Sequence, residues 1–415
     1  MSIIDTKSDG LPEFANPFRP GAGHQPPYLA GRDDECNEFD GALNQTRILE
    51  NLILTGLRGV GKTVLLETFK PLAAKKKWLW VGQDMSESAT NSEINLAERL
   101  ITDLSLLTSS FLVSNERQAS FGFGREDIIA HRPIGYKELK RVYEETPGLT
   151  ADKIKGVLFF VWRSIPQGMI SGIVFAYDEA QNLVDHKHKD QFPLSVLLDV
   201  FQSIQRMGIP FLLVLTGLPT LFPKLVEART YTERMFHIIF LSQLSAQASR
   251  EAATRPVQKQ ECPITFSEST VDQIVKMSGG YPYFIQFICK EIFDVWIRQS
   301  RLGQEMTIPT LEIEKKLDND FFIGRWANAT DRQRQLMHVI SMLENCDTEF
   351  SVQELVNLSK EMLSKPFSPS QTNQMLVALG DSGLIFKNRY GKYSFAVPLL
   401  SSFIKRQIFE ACLSG

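Results

Sequence analysis

The sequence predicts an α/β protein: a mainly parallel sheet flanked by helices, followed by an all-α unit and a small C-terminal unit of three helices and a hairpin. Three observations carry that prediction. From Asn51 to Leu244, short apolar runs alternate with longer amphipathic ones. After Leu244 the strand pattern stops, and helical periodicity alone continues through residue 325. From there to the end, three helix-start signatures precede one hairpin pattern.

The chain has 415 residues, 43% hydrophobic and 22% charged, an ordinary balance for a globular protein of two or three domains. A net charge of −3 gives no overall attraction to a polyanion, so contact with nucleic acid would need a local basic surface. The five cysteines, Cys36, Cys262, Cys289, Cys346 and Cys412, form no C-x-x-C pair, which fits reduced thiols in a cytoplasmic protein. The start "MSIIDTKSDG" lacks an export signal, and the most apolar stretches are short and broken by Gly and Pro, so no membrane span is expected.

Taken in order, residues 1–30 are rich in Pro and Gly without periodicity and read as an extended arm. Residues 31–244 hold the βα alternation. The runs "NLILTG", "WLWVGQDM", "GIVFAYDEA", "PFLLVLTG" and "FHIIFLSQL" are apolar almost throughout, as strands buried on both faces are. Residues 112–149 break the rhythm as an unusually long connection. Residues 245–325 read as a helical domain. Residues 326–415 carry three capping boxes, Thr330 with Gln333, Ser351 with Glu354 and Ser368 with Gln371, then "SGLIFKNRYGKYSFAVP" as a hairpin. Three helices and a hairpin in that order make a winged helix-turn-helix.

Gly56, Gly59, Gly61, Lys62 and Thr63 fulfil G-x-x-x-x-G-K-[ST] between a predicted strand and a predicted helix, which makes the domain a P-loop fold. Backbone N–H groups from Gly56 to Val64, Val60 included, are expected to close around phosphate. Lys62 would neutralise the β and γ charges of ATP, and the Thr63 hydroxyl would coordinate Mg²⁺. Asp178, at the end of "GIVFAYDEAQNL", would hold Mg²⁺ through water, while Glu179 would orient or deprotonate the attacking water. Thr216, ending the next strand, is a candidate contact for the γ-phosphate or the attacking water. "DEAQ" also occurs in helicases, but these need a second motor core, for which the helical second half leaves no room.

These motifs, with "PPYLAGRDDE", "LTGLP", "YTERMF", "GGYPYF" and the winged helix, resemble AAA+ ATPases. The branch is the one that holds archaeal origin-recognition ATPases, transposon ATPases and STAND signalling ATPases. The resemblance implies that the helical domain is a lid and that Tyr28, Leu29 and the Gly31-Arg32 turn pack near the adenine. It also implies that Arg234 reaches a neighbouring subunit's nucleotide, with Arg229 in reserve. The lid lacks a sensor arginine, and Gly280-Tyr281-Pro282 looks like the G-x-P element of STAND proteins, in which Tyr281 and Pro282 would contact nucleotide.

A winged helix inserts its third helix into the major groove of double-stranded DNA. Gln371, Asn373 and Gln374 would then face base edges, with Lys387, Arg389, Tyr390 and Lys392 as a basic wing and Lys405 and Arg406 beside it. Against this, the third helix carries no Lys or Arg. His186 and His188 lack further ligands and read as a solvated loop. Two functions are expected from these features. One is a slow, assembly-dependent ATPase forming homo-oligomers on DNA, as initiators and transposon ATPases do. The other is a STAND-like switch whose winged helix contacts a protein effector.

Overall fold

The computed structural model describes residues 15–21, 23–109, 112–114, 131–258, 262–388 and 391–414. In chain order the elements begin with α1 (Asp33–Leu43), β1 (Asn51–Gly56), α2 (Lys62–Lys75), β2 (Trp78–Val81), α3 (Glu87–Thr90) and α4 (Glu93–Thr108). β3 (Leu112–Ser114), β4 (His131–Pro133), α5 (Tyr136–Glu145), α6 (Thr150–Ser164), β5 (Gly172–Tyr177) and α7 (Pro193–Arg206) follow. Then come β6 (Phe211–Gly217), α8 (Leu221–Ala228), β7 (Phe236–Leu241) and the helices α9 (Ala246–Gln258), α10 (Glu268–Ser278), α11 (Pro282–Arg301), α12 (Thr310–Leu317) and α13 (Ile323–Ala327). The chain closes with α14 (Asp331–Ser341), β8 (Phe350–Ser351), α15 (Val352–Met362), α16 (Pro369–Asp381), β9 (Ile385–Lys387), β10 (Lys392–Phe395) and α17 (Leu400–Ser414).

The chain divides into two compact units, one of residues 32–242 with 331–405, the other of residues 1–31, 243–330 and 406–415. In the first, five parallel strands lie in the order β2-β5-β6-β1-β7. Every residue of β1, β5 and β6 is buried, as apolar runs in the middle of a two-sided sheet must be. The last run departs from the expectation: β7 is an edge strand, and His237, Ile238 and Phe240 are exposed. An apolar run records the composition of a strand, not whether a neighbour covers it.

The segment expected to be one long connection is partly helical. Leu112–Ser114 and His131–Pro133 pair as an antiparallel ribbon, and α5 follows. Leu139 and Tyr143, at i and i+4, are the buried residues of that helix and join the cluster that includes Leu100, Leu104 and Leu158. The stripe is narrow but sharp, with charged residues on the other faces, so the helical periodicity is present in the sequence even though the segment around it reads as a connection.

The C-terminal part of the same unit is a winged helix: α14, α15 and α16, with β9 and β10 as the antiparallel wing and β8 on its edge. The expected capping boxes of Ser351 and Ser368 close. The Ser351 hydroxyl accepts from the Glu354 amide and the Glu354 carboxylate accepts from the Ser351 amide at 2.7 Å; Ser368 and Gln371 do the same.

The second unit is all helix, and the arm folds with it. Phe18 is buried against Phe266 and Phe293, and Asn16 donates to the Lys290 carbonyl (3.0 Å) and the Asp294 carboxylate (2.7 Å). A π-helical turn, Asp318–Phe322, packs Phe321 edge-on and Phe322 at a tilt against Phe284. Arg406 forks onto the Asp318 carboxylate (Nε to Oδ2 3.0 Å). No helix among the described residues is long and apolar enough to cross a membrane.

Candidate nucleotide site

β1 delivers the chain to Gly56, where a β-carbon would stand 2.3 Å from the Leu241 carbonyl oxygen of β7. Only glycine lets the loop leave the sheet so close to its neighbour. Gly59 (φ +81°) and Gly61 (φ +92°) then take left-handed conformations, which bend the loop into the start of α2. Arg32 braces the loop: its guanidinium, 7% exposed, donates to the Val60 carbonyl (3.0 Å), the Ser242 carbonyl (2.8 Å) and Glu35 (2.9 Å). Its side chain is thus spent on holding loop and sheet together. Val64, in the first turn of α2, accepts the Thr68 hydroxyl at its carbonyl (2.8 Å).

Lys62 folds over the loop, its ammonium 2.9 Å from the carbonyls of both Gly56 and Leu57. Burial lowers its pKa to about 8, although Asp178 and Glu179 pull the other way. The Thr63 hydroxyl donates to Asp178 Oδ2 at 2.5 Å, and Asp178 Oδ1 accepts the Glu179 amide at 2.8 Å. Asp178 is buried, which raises its carboxyl pKa. Tyr177 pairs with Leu215, so Asp178 and Thr216 stand level at the ends of adjacent strands. The Thr216 hydroxyl is fully buried and has no partner among the described residues. A hydroxyl and a carboxylate beside a buried ammonium fit a polyphosphate whose Mg²⁺ keeps several waters.

Glu179 sits at φ +52°, a left-handed conformation uncommon outside glycine and often retained at functional sites. Its carboxylate accepts a hydrogen bond from the Gln181 amide. Gln181 Oε1 accepts the Leu218 amide (3.1 Å), and the Gln181 backbone carbonyl accepts the Lys224 ammonium (3.1 Å). Sequence reasoning missed Gln181 and Lys224. "DEAQ" puts Gln181 beside the acidic pair, but nothing local tells that its amide reaches the end of β6.

Arg234 ends the 3-10 turn Thr230–Arg234 before β7 and is exposed. With Arg47, Arg206 and Tyr231 it lines a groove of about 610 Å³. None of the three arginines forms an ion pair among the described residues. Arg229, by contrast, forks onto Asp199 at 3.0 and 2.8 Å, so the two candidate arginines differ in availability.

Tyr28, Leu29, Gly31, Tyr281 and Pro282 belong to the helical unit. There Tyr28 donates to Glu251 (3.1 Å), and Gly31 has φ +58°. Gly279 and Gly280 end α10 in left-handed conformations, the Gly280 carbonyl accepts the Leu244 amide (2.9 Å), and Pro282 opens α11. In the winged helix, Asn373 and Gln374 are exposed on α16 and Lys387 is exposed on β9. Gln371 turns its amide oxygen back to the Ser368 amide, and Lys392 pairs with Glu354 (3.4 Å). Arg389 and Tyr390 lie outside the described residues. His186 and His188 stand 6.1 Å apart, and no cluster of metal-binding side chains occurs among the described residues.

No protein-family model matches the sequence, and no curated protein matches it. Solved structures do match in shape. The Walker-type ATPase of Pyrococcus abyssi superposes over 91% of this chain and 96% of its own, with a TM-score of 0.57 and 13% identity. The ADP form of the Aeropyrum pernix ORC2 protein covers 94% of this chain and 97% of its own, with a TM-score of 0.53 and 11% identity. At such identities what is shared is the fold. That fold, shared with the Walker-type ATPase and the ORC2 protein, is a P-loop sheet, an all-α unit and a C-terminal winged helix.

Proposed function

We propose that this chain binds ATP with Mg²⁺ and hydrolyses it slowly, as a nucleotide-dependent assembly switch associated with DNA. The observation that carries this reading is the Thr63–Asp178 hydrogen bond at the mouth of a glycine loop that also holds Lys62. Loop amides and Lys62 would bind the phosphates, Thr63 would coordinate Mg²⁺, and Asp178 would hold one of its waters. Mg²⁺ supplies charge neutralisation at the β and γ oxygens. Glu179 takes a proton from the attacking water, and Thr216 offers its unpartnered hydroxyl beside it. The ORC2 protein of the same fold has been solved in an ADP form and in ADPNP-ADP complexes, which supports an adenine nucleotide here.

Assembly rests on Arg234. Exposed and without an ion-pair partner among the described residues, it would complete the site of a second copy of this chain, and Tyr28, Leu29, Tyr281 and Pro282 would contact nucleotide. DNA would be met by Asn373, Gln374 and Lys387, together with Gln371, Arg389 and Lys392. The boundaries 1–30, 31–244, 245–325 and 326–415 are carried as the functional division. The test is ATP turnover by Glu179→Gln. Retained binding with lost turnover supports the reading, and turnover at the wild-type rate contradicts it.

A second reading, a STAND-like signalling or defence switch with a protein effector, is favoured by one contact. The Arg58 guanidinium of the P-loop lies 3.8 Å from where a β-carbon on Gly383, just beyond α16, would stand. A winged helix beside the phosphate loop would hold such a switch closed.

A further inference from the structure

The Gln181 side chain spans the gap between the acidic end of β5 and the end of β6. Its orientation is fixed by chemistry. The Leu218 amide can only donate, so the Gln181 oxygen must face it (3.1 Å), which leaves the NH₂ group for the Glu179 carboxylate. Both ends of a buried amide are therefore satisfied, one by the main chain and one by the proposed base. The Lys224 ammonium on the Gln181 carbonyl (3.1 Å) fixes the short helical turn that carries it.

Space for this bridge is provided at β6. A β-carbon on Gly217 would stand 2.7 Å from Gln181 Oε1 and 2.9 Å from Leu221 Cδ2, so the glycine leaves room for the amide. The bridge uses Glu179 Oε2 and leaves Oε1 without a partner among the described residues. A carboxylate held by one oxygen from a neutral donor keeps the other as an acceptor for a proton from water.

We propose that Gln181 is a positioning residue for Glu179: it ties the carboxylate to the end of β6, beside Thr216, so that Oε1 faces the attacking water. The inference rests on the reading of Glu179 as the base. A loose carboxylate on a left-handed hinge would sample many orientations; the bridge selects one.

The test is steady-state ATP hydrolysis with a separate measurement of nucleotide Kd on the full chain. Gln181→Leu, close in volume and unable to bridge, should lower kcat about 10–100-fold with KM and Kd little changed. Gly217→Ala, which displaces the amide while leaving Gln181 in place, should lower kcat in the same direction. In a Glu179→Gln background Gln181→Leu should cost nothing further, because the group it positions is already gone. The inference is overturned if Gln181→Leu and Gly217→Ala both keep the wild-type kcat while Glu179→Gln is inactive. It is also overturned if they raise Kd in step with the loss of kcat. Wild-type turnover by Glu179→Gln would remove the base itself and the bridge's purpose with it.

Discussion

The Thr63 hydroxyl and the Asp178 carboxylate, 115 positions apart in the chain, meet at 2.5 Å between the head of α2 and the end of β5. Thr63→Val keeps the shape and removes the donor. Its affinity for ATP should lose its dependence on Mg²⁺, and Asp178→Asn should weaken Mg²⁺ binding by about 10–100-fold, as loss of an outer-sphere partner does. Titration of Mg²⁺ against a fluorescent ATP analogue checks both.

Lys62 gives a pH dependence. With its pKa lowered to about 8, the empty protein loses the ammonium as pH rises through that value, and nucleotide binding must then take up a proton. ATP affinity should be flat below pH 7 and fall by about tenfold per pH unit well above 8. Lys62→Ala should bind weakly at every pH.

Arg32 makes a prediction about stability. Arg32→Ala removes a buried guanidinium that donates to Val60, Ser242 and Glu35, and should lower unfolding free energy by about 3 kcal/mol. Denaturant unfolding measures it, and nucleotide should recover part of the loss by binding the folded form.

Arg234→Ala should leave ATP affinity in dilute protein unchanged and abolish the rise of turnover with protein concentration, by about a thousandfold if the guanidinium serves a second copy. Turnover measured across a concentration series separates this from damage within one chain.

For the winged helix, DNA affinity should fall steeply with salt, and Lys387→Ala should weaken binding to all sequences alike and reduce the salt slope by about one unit. Binding by gel shift at several salt concentrations checks it.

The glycine loop and Asp178-Glu179 were legible because each is contiguous and the strands around them are apolar throughout. Relationships made across the chain were not. Gln181 meets Leu218 only because β5 and β6 are neighbours, and Arg32 meets Val60 and Ser242 only once β1 and β7 are paired. Helix α5 was legible as well, since Leu139 and Tyr143 mark one apolar face of a charged segment, although residues 112–149 around it read as a single connection. Edge strand β7 is as apolar as the central ones, so its exposed His237, Ile238 and Phe240 had no signal. Lys392, read as part of a basic wing, also lies 3.4 Å from Glu354, from a helix start nearly forty positions earlier, a pairing that no local pattern announces.

The central claim, that ATP sets assembly, is tested most directly by sedimentation of the Glu179→Gln protein with and without Mg²⁺ and ATP. A larger species that appears only with Mg²⁺ and ATP, and is lost with Arg234→Ala, is the predicted result. The same sedimentation in both conditions, with nucleotide shown to be bound, would contradict it.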